Sequence, residues 1–142
     1  MKQEYLKDHI AGWMAKSRAT LKDCLILMGV SDNSGISVAN RAYYASFYTL
    51  IALLATVDFK PEPEEDEATL AVFEREFVTT GKISGETADT IRKLYELQMD
   101  VDFVRVEKVG REEAKEAIEM SGRVYNAIST YLFTQGLLEE AK

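Results

Sequence analysis

The chain is poor in the residues that staple, interrupt or metallate a small fold. A single cysteine, Cys24, excludes an internal disulfide and any cysteine-built zinc site. A single histidine, His9, excludes the doubled Glu-x-x-His motif of di-iron helical bundles, and neither a cofactor nor a metal is expected. Glycine-rich phosphate loops, dinucleotide fingerprints and nucleophile elbows are missing. So is a long apolar run. The most apolar stretch, "AYYASFYTLIALLATV" at 42–57, falls short of the ~20 residues of a bilayer span and holds Tyr, Ser and Thr, so it reads as a buried helix with no membrane contact. The opening "MKQEYLKDHI" has no apolar signal-peptide core, and the expected location is the cytoplasm. Positive charge is in deficit as well. With 17 Lys and Arg against 24 Asp and Glu, the formal charge is −7, which argues against broad phosphate-backbone binding and against DNA as a partner.

What remains is an ordinary globular composition, 46% hydrophobic and 29% charged, that fits one domain over 1–142. Its apolar residues recur at helical spacing. Over 3–29, Leu6, Ile10, Trp13, Ser17, Leu21, Cys24 and Met28 make one inward stripe, with Gly29 placed to stop the helix and "SDNSG" at 31–35 as a loop. A second helix from about 36 to 56 carries one charge, Arg41, and is otherwise apolar or aromatic nearly all round, which predicts a central position. "DFKPEPEEDE" holds both prolines and an acidic run; lacking the ligand spacing and glycine of a calcium loop, it predicts a solvated connection. Over 67–80 a short helix turns Ala68, Leu70, Phe73 and Phe77 inward and ends at Gly81. Ser84 then caps a helix to about 100 that aligns Ala88, Ile91, Leu94, Tyr95 and Gln98. "VDFVRVEKVG" reads as a loop or frayed turn, its alternation leaving a short strand open. The last helix, about 111 to 135, aligns Ala114, Ala117, Ile118, Ser121, Val124, Tyr125, Ile128 and Leu132. The predicted class is all-α: an antiparallel four-helix up-and-down bundle with one short additional helix.

Against that background the polar head of "NRAYYASFY" at 40–48 stands out. Asn40 and Tyr44 share a face with Phe47, Ile51 and Leu54, while Arg41 lies beside it. A buried arginine needs a carboxylate, since an unpaired buried charge costs several kcal/mol. The fourth helix offers one in Asp102, one turn beyond the inward Gln98, and the expectation is an Arg41 at least half buried and paired with Asp102. Two readings of Asn40, Arg41, Tyr44, Gln98 and Asp102 stand: a network that fixes helix register, or the polar floor of a ligand site. His9 reads as a helix-surface or edge histidine, and no catalytic residue is nominated.

"SVANRAYYASFYTLIALL", "FEREFVTTGKIS", "LYELQMDVDF" and "REEAKEAI…YNAISTYL" together resemble the HEPN domain, and more narrowly the small stand-alone HEPN proteins of bacteria and archaea. The likeness is densest at Asn40, Arg41, Tyr43, Tyr44, Ala45 and Phe47, with the segment 77–81 in support. The resemblance implies a four-helix bundle, frequent homodimers, a link to nucleotides or RNA, and in many members a ribonuclease toxin paired with a nucleotidyltransferase-fold antitoxin. Cleavage in those members uses an Arg followed a few residues later by His, at a dimer cleft. Here His9 has no such arginine before it, Gln98, Asp102 and Phe103 stand where the subfamily carries Arg-x-x-x-Asp-Tyr, and Asp66 lies near an expected histidine. The implied function is therefore a non-catalytic or weakly active dimeric module that binds nucleotide, RNA or protein, linked to a nucleotidyltransferase-type partner. The alternative is a ribonuclease toxin with a degenerate site, using Arg41 as phosphate ligand and Asp102 as base; a purely structural bundle is the third reading.

Overall fold

Apolar periodicity becomes five α-helices in the computed structural model, which describes residues 2–31 and 33–139. They are α1 (Gln3–Val30), α2 (Gly35–Leu54), α3 (Asp66–Phe73), α4 (Gly85–Phe103) and α5 (Arg111–Thr134). A 3₁₀ turn, Ala55–Val57, prolongs α2, and a π-helical segment, Glu74–Val78, prolongs α3. The four long helices and the short α3 are the predicted bundle. No strand occurs among the described residues: the alternating stretch at 101–110 is absorbed by α4 at its start and is an irregular connection beyond Phe103.

The sequence of α2 explains its place. It packs against α1, α4 and α5 at once, and thirteen of its residues, from Gly35 to Leu54, are buried. Only Ile36, Ser37, Asn40, Arg41, Tyr44, Tyr48 and Ile51 retain exposure. These recur at steps of three and four, so they form one open strip along an otherwise enclosed helix. Leu50, Leu53, Ile91, Leu94, Ile128 and Leu132 fill the centre of the core. Where α1 and α5 cross α2, small polar residues let the backbones approach without stranding a hydroxyl. Ser17 Oγ donates to the Ala45 carbonyl at 2.6 Å, and the hydroxyls of Ser46 and Ser121 pair at 3.0 Å.

Several local expectations hold and several shift. Gly81 takes φ +77° and closes the turn after the π segment, while the N–H groups of Lys82 and Ile83 both donate to the Phe77 carbonyl. Ser84 Oγ accepts from the Thr87 N–H at 3.2 Å as the cap of α4. Along α1 the buried positions are Ile10, Met14, Ser17, Thr20 and Cys24, with Leu6, Trp13, Leu21 and Met28 only half-buried at the edges. Gly29 lies within α1 rather than ending it. In α3 the buried face is Thr69, Leu70 and Phe73, with Phe77 following, and Ala68 is exposed. Two phenyl rings remove far more apolar area from water than one methyl, so they set the helix rotation.

Cys24 is buried against the Val38 carbonyl, with Sγ to O at 3.8 Å. Burial pushes its thiol up to about 11, with the charge of Arg41 opposing. The folded chain therefore keeps this proton where the unfolded chain, with an ordinary thiol near ~8.5, gives it up. The resulting stability is complete below the ordinary thiol value and declines as pH rises toward about 11. Urea midpoints should fall between pH ~8 and pH ~10.5, and Cys24→Ala should lose part of that fall; an identical fall in both proteins rules Cys24 out as its source.

Candidate functional site

The open strip of α2 faces two cavities that share Tyr44. One, of about 410 Å³, is polar and is walled by Thr20, Asn40, Arg41, Tyr44, Tyr48 and Asp102. The other, of about 760 Å³, is a largely apolar groove between α1, α2 and the 58–66 connection, with His9, Trp13, Tyr44, Phe47, Ile51 and Phe59 among its walls. The first brings together four of the residues nominated from sequence. Gln98, the fifth, stands behind it.

Asp102 is the hub of the polar cavity. Its Oδ2 accepts from Asn40 Nδ2 at 2.8 Å and from Gln98 Nε2 at 2.6 Å, tying α2 to α4. Gln98 is buried, 5% exposed, so its amide relies on that carboxylate. Arg41 is exposed, and it forms no ion pair among the described residues. The expected burial of Arg41 and its pairing with Asp102 are thus corrected. Arg41 lies on the open strip, where water solvates the guanidinium and no carboxylate is required. Accordingly, Arg41→Ala should unfold within ~0.5 kcal/mol of wild type. Asp102→Ala should cost about 1 kcal/mol, because the Gln98 amide loses its acceptor. Urea titrations of both variants check this; a larger loss for Arg41→Ala reverses the assignment.

Around Tyr44 the electrostatics are shaped by two carboxylates. Tyr43, wholly buried, donates its hydroxyl to Asp66 Oδ2 at 2.5 Å, and burial together with that bond raises its pKa far above the ordinary phenol value. Tyr44, half-buried, is raised first by burial and then by the fields of Asp66 and Asp102. At neutral pH Tyr44 is therefore an uncharged hydrogen-bond donor set between the two cavities. Sequence reasoning left out the groove wall and met Asp66 only in the acidic run and near an expected histidine. The signal for His9 was present: it stands one turn before Trp13, and the two rings meet edge-on at 6.3 Å between centroids. The bond from Tyr43 to Asp66 had no such signal, since it spans 23 residues.

Among the described residues no group of three or more His, Cys, Asp or Glu side chains is arranged to hold a metal ion. Likewise, no described helix is long and apolar enough to cross a membrane.

Comparison with known proteins adds the family. The model of the HEPN domain matches residues 11–131. A UPF0332 protein of Thermotoga maritima is 29% identical over 116 residues, 82% of this chain and 85% of that one. A protein of Methanocaldococcus jannaschii named as a putative toxin is 26% identical over 100 residues, 70% of this chain and 67% of that one.

Proposed function

The chain belongs to the HEPN domain family, and from that premise we propose that it is a dimeric binding module that takes the phosphate of a nucleotide or RNA in the Arg41 cavity without cleaving RNA at toxin rates. One observation carries the reading. Arg41 faces the polar cavity without an ion pair among the described residues, whereas the neighbouring carboxylate, Asp102, is occupied by two amides. An arginine free to present its planar donors suits a phosphate oxygen pair, and the neutral Tyr44 hydroxyl adds a further donor. Cleavage asks for more: a base for the 2′-hydroxyl, an acid for the leaving oxygen and a cation for the developing charge. No histidine walls this cavity, and Gln98 cannot titrate.

The test is fluorescence polarisation with a labelled short RNA, competed by AMP and by inorganic phosphate, beside a gel assay for cleavage. Wild type should bind without cutting, and Arg41→Ala should bind at least about tenfold more weakly. Equal binding by both proteins overturns the Arg41 site. The toxin reading comes second, favoured by the name of the M. jannaschii relative and by His9 and Asp66 on the adjoining groove. RNA cleavage lost in both Arg41→Ala and His9→Ala would put it first.

Dimerisation is part of the same proposal. Phe103, Val104 and Val106 are 74%, 76% and 94% exposed next to Asp102, an apolar edge suited to a second copy. Light scattering should report a dimer at ~100 μM; a monomer at that concentration removes it. A nucleotidyltransferase-type partner follows only from the family, and co-purification from the native host tests it.

A further inference from the structure

We propose that the apolar groove beside the Arg41 cavity is a separate site for a small organic cation, an amine with an apolar body. The groove encloses about 760 Å³, the size of a small-ligand pocket rather than of a packing defect. Its walls are aromatic and aliphatic: Trp13, Tyr44, Phe47, Ile51 and Phe59. An apolar body is the ligand feature these surfaces reward.

The rim supplies the charge preference. Asp58, Glu62, Glu64 and Asp66 border the groove together with Lys60 and His9. Asp66 accepts the Tyr43 hydroxyl through Oδ2 and also borders the groove. In a chain of formal charge −7, this rim repels an anion and offers a neutral guest a hydrogen bond at most, without charge pairing. The adjoining ring faces already hold a cation of the protein's own. Lys16 Nζ lies 4.9 Å from the centroid of Trp13 and 4.6 Å from that of Tyr48. Trp13 thus already carries a like charge on one face, which the acidic rim must outweigh. Apolar walls and a net acidic rim agree on one ligand class. The groove thus differs in sign from the Arg41 cavity, although Tyr44 belongs to both, and it does not depend on phosphate binding there.

Trp13 is the only tryptophan in the chain and lines the groove, so its fluorescence reports occupancy directly. The probes are 2-phenylethylamine, the neutral 2-phenylethanol and the anionic 3-phenylpropionate, each titrated into the whole protein. The amine should give a saturable change, with the alcohol at least about tenfold weaker and the acid weaker still. Glu62→Gln combined with Glu64→Gln should reduce amine affinity by about threefold to tenfold while leaving the alcohol unchanged. Both glutamates are exposed, so this variant retains the fold. Arg41→Ala should bind the amine as wild type does, which separates this site from the phosphate proposal. Equal binding of amine and alcohol, or no saturation by the amine, overturns the assignment. Tighter binding of a lysine-containing amphipathic peptide would give the groove to a protein partner, and a Trp13 signal that tracks protein concentration alone would give it to a second copy; both overturn the small-amine assignment.

Discussion

Phe77→Ala will unfold about 3–5 kcal/mol more easily than wild type, read as a lower urea midpoint at unchanged slope. Phe77 is 1% exposed, stacks on Phe73 at 6.4 Å and meets Tyr131 of α5 edge-on at 5.8 Å. Removing the ring deletes a large apolar side chain and leaves a void that three elements must collapse to fill. The backbone raises the stakes. The Phe77 carbonyl receives the N–H groups of Lys82 and Ile83, so the same residue anchors the turn into α4. Because α3 carries Asp66 at its start, loosening Phe77 also loosens one wall of the apolar groove. The Trp13 response to 2-phenylethylamine should weaken with the stability loss. A variant as stable as wild type shows that the π segment is not held by its ring.

Gly35→Ala will cost about 1–3 kcal/mol for the opposite reason, overpacking. A Cβ built on Gly35 would lie 2.2 Å from the Val109 carbonyl oxygen, 2.8 Å from Val109 Cβ and 3.0 Å from its carbonyl carbon. Backbone atoms cannot rotate aside as a side chain would, so the 104–110 connection must move. That connection is pinned at both ends. Arg105 Nε bonds Asp100 at 2.9 Å while its two terminal nitrogens grip Glu113 at 2.7 and 2.9 Å, and Arg111 donates to the Met28 carbonyl at 3.0 Å. Gly12→Ala provides the contrast: beyond its own chain neighbours and the local helix backbone, nothing lies within 4 Å of its added methyl, which sits in the interior of α1. Alanine there should gain about 0.5–1 kcal/mol through helix propensity. Comparing the two urea midpoints separates a steric cost from a backbone one. Losses of equal size would contradict the close approach at Gly35.

Helix count, helix order and most inward stripes were legible because they are local. Ala114 through Leu132 repeat at a period that only a helix turns into one face, and Ser84 and Gly81 announce a cap and a turn by chemistry alone. The aromatic run around Asn40 also carried the family. What was not legible is which side of a nearly all-apolar helix stays open. Three neighbours enclose α2, and by sequence alone its single charge reads as a buried ion in need of a partner. The structure places that charge in the one gap the neighbours leave. The lesson is positional: in a helix with such a sequence, a lone arginine marks the gap as readily as it marks a network. Asp102 bonds both Asn40 and Gln98, and the latter pair stands one turn apart on α4 and shares a face. The close approach at Gly35, the Tyr43–Asp66 bond and the π segment come from contacts distant in sequence, which no window of residues reveals.

The open strip of α2 also separates two kinds of selection. A change at Leu50 or Leu53 must be answered by refitting residues on other helices, so drift there is slow. A change at Ser37, Arg41 or Tyr48 meets solvent or a cavity and asks little of the core. Ligand preference in chains of this architecture can therefore diverge by single substitutions along one helix edge while the bundle stays as it is. Tyr44 is the exception, because it borders both cavities. Its replacement reshapes the walls of both cavities in one step.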